Sequence, residues 1–330
     1  MRAISGWWGA SIGRWISIGS TNQQLGKSQP HRFSFMSNAI ELRGVTKRFG
    51  KQTAVDSLDL QVPEGAIYGF IGPNGSGKTT TLRMILRIFQ PDEGSVTVLG
   101  AAHGKTADDR LGYLPEERGL YKRMKVRDIL TYYARLKGHY DCKADIDRWL
   151  ETLGASDWSN KRVDALSKGM AQKIQFISAV VARPKLVILD EPFSGLDPVN
   201  LESLKDAVFD LRNQGTTIVF STHDMEMAER MCDTIFMIFN GRKVLDGTLE
   251  TIQSEYAVNR IRVAFQEDTG MPPVVGISEI ESNGHFHEFT VDQRDDSNSV
   301  LAQLAAQRRI SHFETIKPSL HDIFVRIARP

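Results

Sequence analysis

The sequence predicts an α/β fold: a mainly parallel sheet covered by helices, divided by a helical insert and followed by a small α+β appendage. Three observations predict it. Short apolar runs alternate with stretches whose apolar positions recur at helical spacing, the pattern of a sheet with helices on both faces. Between residues 116 and 183 the period becomes helical throughout. Beyond residue 248 short strand and helix signals resume, without the glycine-rich and acidic motifs of the first part.

The bulk numbers leave room for this architecture and narrow the partners. A chain of 330 residues can bury a large core and form two domains. Lys and Arg number 41 against 40 Asp and Glu, a net charge of +1, so no global field draws the protein to nucleic acid or an anionic membrane. The two cysteines, Cys142 and Cys232, lie far apart and match no metal or redox spacing. No window approaches the eighteen apolar residues of a membrane-spanning helix.

The elements follow in order. Residues 1–35 contain Arg2, Arg14, Lys27 and Arg32 but no acidic residue, and Gly6, Gly9, Gly13 and Gly19 break any amphipathic helix. The stretch reads as a disordered or non-native N-terminal extension, with Met36 as the expected natural start. Ile40-Glu41-Leu42-Arg43-Gly44-Val45 and Leu58-Asp59-Leu60-Gln61-Val62 then alternate as half-buried strands. Between them Phe49 stands beside Gly50, on spacing alone an edge aromatic. Ala66-Ile67-Tyr68-Gly69-Phe70-Ile71 is a buried strand, and Leu82, Ile85, Leu86 and Phe89 fall on one helical face.

Ser95-Val96-Thr97-Val98-Leu99 and Leu111-Gly112-Tyr113-Leu114-Pro115-Glu116 are the next strands. Helical faces follow at Val126, Ile129, Leu130 and Tyr133, at Ile146, Trp149, Leu150 and Leu153, and over residues 171–181. The α/β pattern returns with Leu186-Val187-Ile188-Leu189-Asp190-Glu191, then a helix through Leu201, Leu204, Val208 and Leu211. Thr217-Ile218-Val219-Phe220 ends at Ser221-Thr222-His223-Asp224, and residues 234–239 form a further strand. The main domain is thus expected over residues 36–248, and the appendage over 249–330. In the appendage, strands are expected at 260–265, 287–291 and 313–316, and helices at 300–307 and 320–327. His285 and His287 have no third ligand nearby and read as surface histidines rather than a metal site.

Between the first buried strand and its helix lies Gly72-Pro73-Asn74-Gly75-Ser76-Gly77-Lys78-Thr79-Thr80, which fits the phosphate-cradling P-loop, Gly-x4-Gly-Lys-[Ser/Thr]. Glycines let successive N–H groups point inward, and the positive end of the helix faces the anion. Lys78 is placed to reach the β- and γ-phosphates and the Thr79 hydroxyl to ligate Mg²⁺. A plain surface turn is the bland reading, and strand-turn-helix order argues against it. Asp190 and Glu191 end a buried strand, where open α/β sheets place their sites. Asp190 is expected to hold Mg²⁺ and Glu191 to act as general base on the attacking water. By itself such a pair more often caps a helix; beside a P-loop it points to triphosphate hydrolysis, with ATP and Mg²⁺ as the expected cofactors.

Taken together, residues 40–247 resemble the nucleotide-binding subunit of an ATP-binding cassette transporter, a P-loop NTPase. Besides the P-loop and acid pair, the resemblance rests on Phe49 in the adenine-stacking loop, Tyr113-Leu114-Pro115-Glu116 at the Q-loop, Leu166-Ser167-Lys168-Gly169-Met170 at the signature, Ser194-Gly195-Leu196-Asp197 as D-loop and His223 as switch histidine. It reverses the bland reading of Phe49. It implies that Gly72, Asn74, Gly75, Ser76, Gly77, Lys78, Thr79 and Thr80 enclose the phosphates, and that Thr79, Glu116 and Asp190 hold Mg²⁺. Glu191, His223 and Lys78 would carry the catalysis.

The resemblance also implies a head-to-tail dimer of two copies. Ser167 and Gly169 of one copy would donate to the γ-phosphate bound by the other, and Asp197 would communicate between the sites. A separate integral membrane permease is the expected partner, docking near residues 116–125, with this subunit peripheral on the cytoplasmic face of the membrane and no nucleic-acid partner.

Three positions depart from the family pattern: Lys168 and Met170 in the signature, and Glu116 where glutamine is usual. The stretch Tyr113 to Tyr121, the signature variant and Pro318-Ser319-Leu320-His321-Asp322-Ile323-Phe324 are similar to one branch, the bacterial exporters of the sodium-efflux and drug-resistance type. Two rivals remain. A soluble cassette ATPase acting on ribosomes or DNA usually carries two cassettes or a long coiled coil, and neither is present here. A regulatory module that binds ATP without turnover fits poorly with intact Glu191 and His223.

Overall fold

Two sheets meet across a shared apolar core in the computed structural model, which describes residues 37–102, 109–117, 119–267, 270–292 and 296–328. The expectation for residues 1–35 lies outside them. The first sheet is antiparallel, in the order β2-β1-β4-β5: β1 (Asn38–Phe49), β2 (Gln52–Pro63), β4 (Glu93–Val98) and β5 (Ala101–Ala102). The second has six strands, in the order β10-β9-β3-β8-β7-β6. These are β3 (Ile67–Ile71), β6 (Leu111–Leu114), β7 (Leu186–Asp190), β8 (Thr217–Thr222), β9 (Thr234–Phe239) and β10 (Arg242–Gly247).

All pairings in the second sheet are parallel except β10 on β9. Every residue of β3, β7 and β8 is buried, which is why these strands read as continuous apolar runs rather than alternating ones. One face packs with α1 (Lys78–Ile85) against the first sheet, bringing Phe70, Ile188, Val219 and Phe236 onto Leu42, Leu60 and Leu82. On β3, Gly69 is required by close approach: a Cβ there would stand 2.3 Å from Cys232 Sγ. Burial raises the Cys232 thiol pKa and keeps it protonated, consistent with an ordinary packed thiol.

The opposite face carries the helical insert: α2 (Val126–Leu136), α3 (Lys143–Thr152) and α4 (Lys168–Val180). Its core joins Ile129, Trp149, Phe176 and Ile177 to Val187, Leu189 and Phe220 of the sheet, with α5 (Pro198–Asn213) alongside. Because α4 lies between the sheet and the other insert helices, nine of its thirteen residues are buried, including Gln172, Lys173 and Gln175.

The hairpin to β10 went unforeseen, although Asn240-Gly241 is a two-residue turn with φ of 49° and 76°, the geometry that Asn-Gly favours. The helices α6 (Met225–Met231) and α7 (Leu249–Glu255) were also missed, being too short to display a period.

Beyond them β11 (Arg260–Phe265), β12 (Ile277–Asn283), β13 (Phe286–Val291) and β14 (Ile310–Ile316) form an antiparallel sheet ordered β12-β13-β11-β14. Val300 and Leu304 of α8 (Ser297–Gln307) cover one face through Ile261, Val263 and Phe289. β12 escaped the sequence because five of its seven residues are polar and its face is open.

His287, expected at the surface, is only 4% exposed. Strand alternation turns it inward, where its Nδ1 lies 2.8 Å from Ser282 Oγ and its ring packs against Phe265.

The last helix, α9 (Leu320–Ala328), leaves this sheet and packs on the main domain. Leu320 and Ile323 bury against Ala228, Ile235 and Ile252; the Phe324 ring meets Phe239 edge-on at 5.5 Å; and Leu320 N–H donates to Glu229 Oε1 at 2.5 Å. Leu245 and Ile252, on either side of the boundary expected at residue 248, pack in this same cluster. Among the described residues no helix is long and apolar enough to cross a membrane.

Candidate functional site

The site is built at the C-terminal ends of the central parallel strands, where β3, β8 and β7 lie side by side and end together. Neighbouring strands are about 4.8 Å apart, so whatever follows their last residues must converge. Gly72 follows β3, Glu191 follows β7 and His223 follows β8.

The loop after β3 turns on glycine. Gly77 sits at φ 110° and a Cβ on it would lie 2.6 Å from Ala54 O; a Cβ on Gly72 would meet Ile238 O at 2.3 Å. Gly77 is also the N-cap of α1, with no side-chain cap and no acid in the first turn. The first N–H groups of that helix are thus left to an external acceptor. Lys78, 6% exposed, bends back so that its Nζ donates to Gly72 O at 2.6 Å and Pro73 O at 3.2 Å. Burial lowers its pKa, opposed by the negative charges of Glu191, Asp190 and Glu116.

Asp190 ends β7 at 2% exposure and accepts a hydrogen bond from Ser221 Oγ of the paired strand. Glu191 leaves the strand at φ 50°, a left-handed conformation that costs energy for a residue with a Cβ. It is held there by its N–H on Ser221 O at 3.1 Å. Its Oε1 accepts both His223 N–H at 3.1 Å and His223 Nδ1–H at 2.8 Å. The carboxylate and the imidazole are therefore already paired, an arrangement that orients a base.

Lys78, Asp190 and Glu191 face a cleft of about 390 Å³, which His223 meets only through its bond to Glu191. Phe49, Asn74, Gly75, Gly77, Lys78, Thr79, Thr80, Glu116, Asp190 and Glu191 all line it, and Gln52 and Ala54, unforeseen, complete one wall. Phe49, 46% exposed, stands at the rim with its ring edge-on to Phe89 at 5.5 Å, leaving surface on which a planar base can stack. Gly72 and Ser76 shape the loop without lining the cleft. Ser76 Oγ is buried and has no partner among the described residues, an unmet donor in a phosphate loop.

The expected metal ligands fit a hard cation: Thr79, Glu116 and Asp190 are oxygen donors on one cleft. Among the described residues no three His, Cys, Asp or Glu side chains are grouped as a metal cage. A cation held here would complete its shell from the nucleotide and water, the habit of Mg²⁺.

Ser167, Gly169 and Asp197 do not reach this cleft. Ser167 caps α4, its Oγ accepting Met170 N–H at 3.3 Å, and Asp197 caps α5, accepting Asn200 N–H at 3.1 Å. The hydrogen bonds from Asn200 hold the Asp197 carboxyl below its usual range. The two caps are neighbours, since a Cβ on Gly169 would lie 3.2 Å from Asn200 Nδ2. Lys168 finds its explanation here. Its side chain lies over Gly195, where a Cβ would be 2.3 Å from the ammonium nitrogen, so the lysine of the signature and the glycine of the next loop fit each other. Sequence reasoning passed over Ser221 and Asn200; only their strand-end and N-cap positions could have flagged them.

Comparison with known proteins identifies the family. The family model "ABC transporter" matches residues 55–194, and "ATP-binding protein DrrA1-3-like, C-terminal domain" matches residues 247–328. An uncharacterized ABC transporter ATP-binding protein, YhaQ of Bacillus subtilis, is 44% identical over 284 residues, covering 85% of this chain and 95% of the relative. Nod factor export ATP-binding protein I of Paraburkholderia xenovorans is 32% identical, covering 88% and 96%. Daunorubicin resistance ATP-binding protein DrrA3 of Streptomyces coeruleorubidus is 28% identical, covering 88% and 95%. Among solved structures, an ATP binding subunit of an ABC transporter superposes with a TM-score of 0.62 at 28% identity, covering 66% of this chain and 93% of that one.

Proposed function

The chain belongs to the ABC transporter ATP-binding family, whose members are ATP-hydrolysing transporter subunits, and from that premise we propose that it drives export by a separate membrane permease. Two copies would close head to tail on ATP and reopen after hydrolysis. One observation carries the reading. A single chain assembles the P-loop and the acid pair on one cleft, with His223 bonded to Glu191 behind it, while Ser167 and Gly169 present a helix N-terminus elsewhere. A second copy is the simplest source of the missing donors.

Within the cleft each group has a task. Phe49 stacks on the adenine, and the loop N–H groups with Lys78 bind the β- and γ-phosphates. Thr79, Asp190 and Glu116 hold Mg²⁺, which when bound neutralises charge developing on the transferred phosphoryl group. Glu191 accepts a proton from the attacking water, and His223, bonded to Glu191, fixes its orientation.

The permease is expected to dock on the insert beside Glu116. There a groove of about 260 Å³ is lined by Pro115, Leu120, Tyr133 and Leu136, next to the exposed rings of Tyr121 and Tyr132. Subunits of this kind lie on the cytoplasmic face of the membrane. Export rather than uptake is supported by the relative that serves Nod factor export, and a relative in daunorubicin resistance is in keeping with it.

The shared site is tested by two variants. Lys78→Ala should abolish ATP binding. Ser167→Arg should leave ATP affinity within about threefold but block ATP-induced dimerisation measured by light scattering, since a bulky cation fills only the interface. Equal loss of ATP affinity in both variants would show that the site is not shared.

A further inference from the structure

The helix that begins at the signature also grips the cleft of its own chain. α4 buries two glutamines one helical turn apart, Gln172 and Gln175, and residues at that spacing share a face. Gln172 Nε2 donates to Pro192 O at 3.0 Å, the carbonyl just after Glu191. Gln175 Nε2 donates to Pro115 O at 3.1 Å and to Glu117 O at 3.2 Å, the carbonyls on either side of Glu116. Two amides on one helix thus hold the backbones of the two loops that carry Glu191 and Glu116.

Satisfying buried carbonyls is ordinary structural work, but the details point further. Gln175 is 2% exposed, and its own Oε1 is buried without a partner among the described residues. An amide retained for stability alone would be satisfied at both ends, because an unmet buried acceptor is costly. What Gln175 gains for that cost is a two-point hold on one loop, with Glu116 between the points.

We propose that Gln172 and Gln175 are positioning residues that fix the Glu191 and Glu116 carboxylates to the signature helix, Gln175 setting the cleft's grip on Mg²⁺ and Gln172 the placing of the base. The proposal rests on the shared-site reading above for its wider consequence. Gln175 lies eight residues, roughly 12 Å, along the helix from Ser167, so a shift of α4 as Ser167 engages the partner's nucleotide moves both loops. The residues that line the permease groove include Pro115 and Gln175 themselves, placing the same hold within reach of the membrane partner.

The test uses the full chain and a non-hydrolysable fluorescent ATP analogue titrated with Mg²⁺. Gln175→Leu, which removes the donor at similar volume, should raise the Mg²⁺ midpoint of analogue binding about tenfold, the scale of outer-shell changes. Analogue affinity in the presence of a chelator should stay within about twofold. In a Glu116→Ala background the same substitution should add less than about twofold, since it acts through Glu116. Gln172→Leu should lower kcat about tenfold with KM and the Mg²⁺ midpoint unchanged. Gln175→Met serves in the same way if leucine prevents folding.

An unmoved Mg²⁺ midpoint in Gln175→Leu, or an equal shift with Glu116 already removed, would overturn the role of Gln175; an unchanged kcat in Gln172→Leu would overturn that of Gln172. A failure of the shared-site reading registers separately, as normal ATP-induced dimerisation of Ser167→Arg, because the Mg²⁺ titration follows binding within one cleft.

Discussion

The parallel sheet of the main domain and the antiparallel sheet of the appendage use similar charged residues to opposite ends. In the appendage, Arg262 sits in register with Glu288 on one side and Glu314 on the other, and its guanidinium lies 2.8 Å and 3.7 Å from their carboxylates. Arg260 bridges Glu281 at 2.6 Å and Glu288 at 3.2 Å. Charge there is settled across strands and within the face. At the C-terminal ends of the parallel strands, Lys78 and the carboxylates of Asp190, Glu191 and Glu116 share one cleft, yet among the described residues Lys78 bonds only to backbone carbonyls. Chemistry is marked by where charges are left facing a common space, and a sheet whose parallel strands end on one side creates such a space.

The contrast can be broken by mutation, the largest effect coming first. Glu191→Gln removes the base but keeps the shape. We expect kcat to fall by about 10²- to 10⁴-fold with ATP binding retained; steady-state hydrolysis near the wild-type rate would remove Glu191 from its role. Phe324→Ala tests the seam between the two regions, where the ring meets Phe239. Losing this partly buried aromatic should cost about 2 kcal/mol in urea denaturation, and an unchanged midpoint would mean that the appendage is only loosely seated.

Ser221→Ala should lower kcat about tenfold, because Asp190 loses the hydroxyl that holds it. A Mg²⁺ midpoint for activity that stays put would argue that Asp190 needs no such support. Smallest of all, Arg262→Ala should change stability by less than about 0.5 kcal/mol and leave ATPase activity alone, since partly exposed pairs contribute little. A large loss of activity there would erase the distinction between the sheets.

Much of this was legible before folding, and the residues show why. Gly72 to Thr80 declare themselves because the requirement is local: glycine conformations, a lysine and a hydroxyl at fixed spacing. Asp190 and Glu191 were legible as acids ending an apolar run. Lys168 was legible only as a departure, its reason lying in Gly195, distant in sequence and adjacent in space. His287 was misread because alternation alone does not say which face of a strand is covered. Gln172 and Gln175 looked like polar residues on a helix, and their partners are carbonyls, which carry no sequence signature.

By itself, then, the sequence determined the order of elements, the phosphate loop, the acid pair and the family resemblance, all of which follow from near-neighbour periodicity and backbone chemistry. Tertiary structure decided that β3, β8 and β7 are neighbours, that Phe49 and Glu116 reach the same cleft, that α4 holds the loops around Glu191 and Glu116 and that α9 closes onto the main domain. Those facts depend on contacts between residues tens to hundreds of positions apart, which are fixed by burial of shared apolar surface and leave no local trace in the chain.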